Sequence, residues 1–239
     1  MKCPVCGGAV RIIRRADGNA DHYEPLGFDG EQSELPVLDE QTDRELREAR
    51  KGKKTVAIVG VALSTATLAP YDDREVEIWA LNEMYSLSWA KRITKLFQIH
   101  AEKSWKVDKK TKYGHTINSY SWLKKTNIPV YMRCRHEEIP FSIEFPLCEI
   151  RETLLGKLRL GDKRIHFYTS TPAYMIAMAI REGFERIELY GFEMTDDTDY
   201  AEQKPGFLFW IGLALGKGIE VYAPPESQYL VAPLYGAER

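Results

Sequence analysis

The sequence predicts an α/β protein: a Rossmann-like, mostly parallel sheet with helices on both faces, preceded by a small zinc-knuckle or ribbon-like appendage. Three observations predict it. Short, largely apolar runs recur at 56–59, 77–81, 93–99, 128–132, 165–168, 187–190 and 219–222, each the length of a buried strand. Helix-forming stretches bounded by Gly and Pro separate several of them, the alternation expected of a parallel sheet. A close cysteine pair, Cys3 and Cys6, precedes all of this.

The 239 residues suffice for one α/β domain and a small appendage. Lys+Arg 33 against Asp+Glu 35 gives a net charge of -2, so no global basic field points to nucleic acid. No apolar run approaches the ~20 residues of a membrane helix, and Met1-Lys2-Cys3-Pro4 does not open a signal peptide. A soluble, cytoplasmic chain without a membrane span is expected.

The appendage is placed at 1–25. Cys3-Pro4-Val5-Cys6-Gly7-Gly8 has CxxC spacing with glycines that let amides turn toward the sulfurs, half of a structural zinc site. Two more ligands are needed for a closed tetrahedral site. His22, the Cys134-x-His136 pair, or a second copy of the chain in a homo-oligomer are the candidates. A degenerate ribbon without metal is the other reading. A strand at 10–14, a turn at 16–19 and a partner around His22 and Tyr23 complete a hairpin.

A charged linker follows at 26–54. Within it, 39–50 is charged enough to be either a solvated helix or an exposed lead-in.

The main domain is 55–239. Its first strand, 56–59, closes on Gly60 and leads to Ser64; G-x-G-x-x-G is absent, so no NAD site is expected. Gly60 and Ser64 remain candidates for a looser phosphate or ribose turn. Asn82 ends the next strand, placed either to read a base or ribose edge or to cap a turn. His100 ends the third, with Glu102 two residues on, a pattern for acid–base work or for a structural histidine. The basic loop at 106–113 suits a lid or an acidic substrate, or is simply exposed. Beyond the strand at 128–132 the segment 141–150 is expected to cover the sheet edge.

The segment 164–199 reads as one β-α-β unit: a strand at 165–168, N-cap candidates Thr169, Ser170 and Thr171 before Pro172, a helix ended by Gly183, and a strand at 187–190. A right-handed crossover places Thr171 and the stretch from Gly191 to Tyr200 at one carboxyl edge, where ligands of open α/β sheets sit. Free N–H groups at the Thr171 helix start favour a phosphate there. Glu193, Asp196, Asp197 and Asp199 collect after Gly191, a metal site or a solvated acidic loop.

The run T-S-T-P-A-Y-M-I-A-M-A-I-R-E-G-F-E-R-I-E-L-Y-G-F-E-M, followed by Tyr200, resembles the corresponding unit of the bacterial sialyltransferases of glycosyltransferase family 42. It is similar, too, to the methanogen-type 6-hydroxymethylpterin diphosphokinases and related motility-accessory proteins. V-A-I-V-G-V-A-L-S and W-A-L-N-E-M-Y match that pattern in position, so the resemblance covers roughly 55–222. A knuckle joined to such a core also resembles uncharacterised bacteriophage proteins.

The resemblance implies Gly60 and Ser64 at the nucleotide's phosphate turn, Asn82 on the ribose or base, and Ser170 and Thr171 beside the nucleotide. It gives Glu193 the acidic position and Tyr200 contact with the leaving phosphate. This chain departs in carrying G-V-A-L-S for the family's G-x-G-P-S, and in having no histidine at 201–205. The acid–base role then falls to His100, Glu193 or the Asp196–Asp199 cluster. Three functions are in view. One is a nucleotide-dependent transferase moving a glycosyl group from a nucleotide sugar to a hydroxyl acceptor. The second is a diphosphokinase acting on a small hydroxymethyl substrate, with Mg²⁺ on Asp196, Asp197 and Asp199. The third is a non-catalytic nucleotide-binding or assembly protein.

Overall fold

The computed structural model describes residues 36–106, 119–158, 166–194 and 201–230, with the strand segments 10–13, 22–25, 109–110 and 116–117. The chain divides into two compact units, Met1–Pro36 and Val37–Arg239. In the first, β1 (Val10–Ile13) and β2 (His22–Pro25) pair antiparallel with Ile13 opposite His22, the hairpin that the turn residues imply. Cys3 and Cys6, and with them the knuckle itself, lie outside the described residues.

The second unit opens with α1 (Glu40–Arg50). The Asp39 carboxylate accepts the Thr42 amide at 2.9 Å and caps its start. Then follow β3 (Thr55–Val59), β4 (Val76–Leu81), β5 (Lys95–Gln98), α2 (Glu102–Trp105), the β6–β7 pair (Lys109–Lys110 and Thr116–Ile117), α3 (Ser119–Leu123), β8 (Val130–Met132), β9 (Ser142–Glu144), α4 (Leu147–Leu155), α5 (Thr171–Arg181), β10 (Arg186–Tyr190), α6 (Lys204–Gly216) and β11 (Glu220–Tyr222). Seven strands form one sheet in the order β11-β10-β3-β4-β5-β8-β9, and every pairing in it is parallel. From β3 the chain steps outward to β9, then returns to the other side of β3. The order therefore reverses between β3 and β10.

Helices cover both faces. Alternation along β10 puts Glu188 and Leu189 on opposite sides. Arg50, the last residue of α1, reaches Glu188. The other face carries Leu189, Ile58 and Trp79 in register. There Phe184, just past α5, meets the Trp79 ring edge-on at 5.2 Å.

Two expectations change. The run 165–168 is not a strand: His166–Thr169 is irregular, with His166 exposed, and Ile165 lies outside the described residues. Both edges of β10 are already taken by β3 and β11, so no ladder is open to it. Instead the Phe167 carbonyl accepts the Trp210 indole N–H at 3.0 Å, and the Phe167 ring stacks on Phe209 at 3.8 Å. The second change is at the edge of the sheet, where part of 141–150 joins as the last strand, β9.

The centre of the second unit holds one fully buried carboxylate. Glu188 accepts from Arg50 at 3.0 and 2.8 Å, from Arg186 at 2.7 Å and from the Tyr190 hydroxyl at 2.8 Å. Burial works against the charge on Arg50, but the hydrogen bond and charge of Glu188 outweigh it and hold the guanidinium more firmly protonated. This makes α1 part of the sheet domain, not a free linker. Replacing Glu188 with Gln takes the shared counter-charge from two buried guanidiniums, leaving Arg50 with Asp73 at 3.8 Å and Arg186 with Glu220 at 2.8 Å, and should lower unfolding free energy by about 3 kcal/mol. Removing the exposed Arg47–Asp43 pair by Arg47→Ala should cost about 0.5 kcal/mol or less. Denaturant midpoints of the two variants check this contrast.

Candidate functional site

Every strand of a parallel sheet points its carboxyl end the same way, so the turns after β3, β4, β5, β8 and β10 share one edge. The start of α5 lies there too. Its far end is fixed at the amino edge, where Glu182 accepts Lys95 Nζ at 2.6 Å and its carbonyl accepts Lys54 Nζ at 2.6 Å. A helix of 11 residues spans roughly 16 Å, about the length of the strands it crosses. Ser170 and Thr171 therefore stand at the carboxyl edge.

At the reversal between β3 and β10 the turns lock together. Gly60 donates its amide to the Tyr190 carbonyl at 2.8 Å, and Ala62 to Gly191 at 3.0 Å. The Gly191 amide is taken by the buried Thr65 hydroxyl at 2.7 Å. Gly191 has φ +72, and a Cβ on Gly60 would sit against the Gly191 carbonyl and 2.7 Å from the Phe192 ring. Glycine is required here for close backbone approach. The Gly60 amide is thus already bonded within the fold, while Ser64 is half-buried in the turn beyond it.

Unsatisfied polar atoms lie elsewhere on the edge. Asn82 follows β4 with φ 50, the one non-glycine residue in the left-handed region among those described. Its amide donates to the Phe97 carbonyl at 3.0 Å, while its side-chain carbonyl is buried without a partner among the described residues. Gln98, at the end of β5, has its carbonyl in the same condition and is 1 % exposed. Ser170 is buried at the N-cap of α5, yet its hydroxyl makes no capping bond and finds no partner among the described residues. Ala173 and Tyr174 turn their amides to the Ser170 carbonyl, and Pro172 has none, so the helix start offers fewer free N–H groups than its length suggests. Tyr168, packed on Tyr174 at 4.6 Å and Trp210 at 5.1 Å, has its phenol pushed up by burial.

His100 is exposed past β5, and its carbonyl accepts the Trp105 indole at 3.2 Å. Glu102 pairs with Lys106, not with His100. Glu193 is half-buried three residues past β10. Tyr200, Asp196, Asp197 and Asp199 lie outside the described residues. The structure thus joins Gly60, Thr65 and Gly191 directly, and sets Ser64, Asn82, His100, Ser170, Thr171 and Glu193 along the same edge. Gln98 is the residue that sequence reasoning missed. Its signal was an amide inside the apolar run Leu96-Phe97-Gln98-Ile99.

No family model matches the chain, and no curated protein does. Among solved structures it is similar to the sialyltransferase CST-II in complex with a trisaccharide acceptor and CMP. The TM-score is 0.44 at 14% identity, over 71% of this chain and 80% of that one. It is similar also to the sialyltransferase CstII from Campylobacter jejuni with the substrate analogue CMP-3FNeuAc, with a TM-score of 0.43 at 13% identity over 71% and 79%. Likeness at this level carries no functional argument, which must come from the residues. Among the described residues no helix is long and apolar enough to cross a membrane.

The locked turn yields a prediction. Gly60→Ala should cost roughly 1–3 kcal/mol through overpacking against Gly191 and Phe192. Gly212→Ala, on a helix with open space around it, should be neutral or stabilising. Thermal melting of both variants reads the difference.

Proposed function

We propose that the chain is a nucleotide-dependent transferase, moving a glycosyl group from a nucleotide-activated sugar to a hydroxyl acceptor at the carboxyl edge of the sheet. The observation that carries this is Asn82. Its backbone sits in the left-handed region, which Asn tolerates better than other non-glycine residues, at a strand end, with a buried carbonyl that no described residue satisfies. An unspent buried acceptor at a strand's carboxyl end suits a ligand's donor group, such as a base amino group or a ribose hydroxyl. Gln98 and Ser170 add a second acceptor and a hydroxyl on the same edge.

In this reading the acceptor hydroxyl attacks the anomeric carbon while the bond to the phosphate oxygen breaks. The nucleotide leaves with that electron pair, and His100 or Glu193 takes the hydroxyl proton. Tyr200 and the start of α5 at Thr171 stabilise the charge growing on the phosphate. Cys3 and Cys6 serve apart from this chemistry, as half of a structural zinc site.

A thermal-shift screen of nucleotides and nucleotide sugars, each with and without Mg²⁺, tests the proposal. A free nucleotide near 100 times its dissociation constant should add about 2.7 kcal/mol of stability. The expected result is a metal-independent shift with one nucleotide family. A shift only with a triphosphate and Mg²⁺ would replace the proposal with a diphosphokinase. Silence across the panel would leave an assembly protein.

Asn82→Gly supplies a second prediction. Glycine relieves the positive φ, so the fold should keep or slightly raise its melting temperature. Nucleotide affinity should fall about tenfold with loss of the carbonyl.

A further inference from the structure

The loops after β5 and β8 bring together Glu102, His136 and Glu138, whose ligand atoms all lie within 4.8 Å of one another. Cys134 stands beside this group rather than inside it: its Sγ is 3.5 Å from His136 Nε2. A thiolate at about 2.3 Å and an imidazole nitrogen at about 2.0–2.1 Å from a tetrahedral zinc stand about 3.5 Å apart. We propose that Glu102, Cys134, His136 and Glu138 form a binding site for a divalent transition metal, zinc by its ligand set, which clasps the loop after β8 to α2. The site does not rest on the nucleotide reading.

Three features prepare it. His136 is held from its backbone, its amide donating to Ser142 Oγ at 3.0 Å and its carbonyl accepting that hydroxyl at 2.9 Å. Its ring meets the buried Trp105 edge-on at 4.8 Å, which restricts its orientation. Lys106 Nζ lies 2.5 Å from Glu102 and 3.1 Å from Glu138, so a cation already bridges the two carboxylates. This bridge is solvent-exposed and weak, so a metal displaces it at little cost. The carboxylates then close on the ion by side-chain rotation.

The test uses the full chain carrying Cys3→Ser and Cys6→Ser, titrated with Co²⁺ and then competed with Zn²⁺. One equivalent of Co²⁺ should bind with tetrahedral absorption and a thiolate charge-transfer band. Cys134→Ser should remove that band. His136→Ala should weaken binding by more than the roughly 10–100-fold that loss of an outer partner costs, and Glu138→Gln should also weaken it. Lys106→Met should tighten binding, because the metal no longer competes with an ammonium. Melting curves confirm that each variant is folded, with His136→Gln replacing the alanine variant if that one is not. Absence of a bound equivalent, or affinity indifferent to His136 and Glu138, would overturn the site and leave an ion-paired triad. Unchanged or weaker binding in Lys106→Met would overturn the assignment of the ammonium's position to the metal.

Discussion

The return of β10 to the side of β3 is the constraint on which the rest depends. Between these strands the chain has built four further strands outward, and closing the sheet requires two distant turns to meet at backbone distance. Gly60 and Gly191 allow it, because a side chain on either would strike the other's carbonyl. Thr65 completes the lock by taking the Gly191 amide. In open α/β sheets the crevice at a reversal of strand order is the usual ligand position. Here that crevice is filled by bonded backbone and by Phe192. The unsatisfied polar atoms lie farther along the edge, at Asn82 just after β4 and Gln98 on β5.

The same strand pair carries the main electrostatic commitment. Glu188 is fully buried, and such a charge persists only because two guanidiniums and a phenol surround it. Arg186 extends the chain of charges to Glu220 on β11 at 2.8 Å, and Lys53 reaches the same carboxylate at 2.5 Å. The network therefore joins α1, β10 and β11, elements that the hydrophobic pattern alone does not connect. A buried pair of this kind is costly to break yet adds little net stability over an apolar core. Its contribution is to fix which helix covers which part of the sheet.

The strands were legible because their runs are short and largely apolar, and several close on Gly or Asn, as at Gly60, Asn82 and Gly191. The run 56–59 became β3 with every residue buried, and 187–190 fell within β10. The helix of 174–182 was legible from Pro172 and Gly183. What failed was 165–168, whose composition matches a strand but whose neighbours on the sheet were already paired; composition cannot report an occupied edge. R-I-E-L-Y read as a buried strand, but the ion pair that Glu188 makes within it was not legible, since its partner Arg50 lies 138 residues away. Cys134-x-His136 was visible as a ligand pair, but its relation to Glu102 and Glu138 depends on two loops meeting above adjacent strands. Asn82 was visible as a strand-end amide, while its positive φ was not.

The proposed metal clasp and the proposed nucleotide site share an edge without sharing residues. Asn82 follows β4 and His136 follows β8, with β5 between them. His100 lies at that middle position: its carbonyl accepts the indole N–H of Trp105, whose ring packs against His136. A metal on His136 and Glu102 would stiffen the loop that presents His100, because Glu102 begins the same short helix that Trp105 ends. The coupling runs through one packed aromatic and one helical turn, so it would act on the position of His100 and leave Asn82 and Gln98 as they are. Loss of the metal would then be felt in turnover before it was felt in nucleotide affinity, which separates the clasp from any direct role in holding the nucleotide.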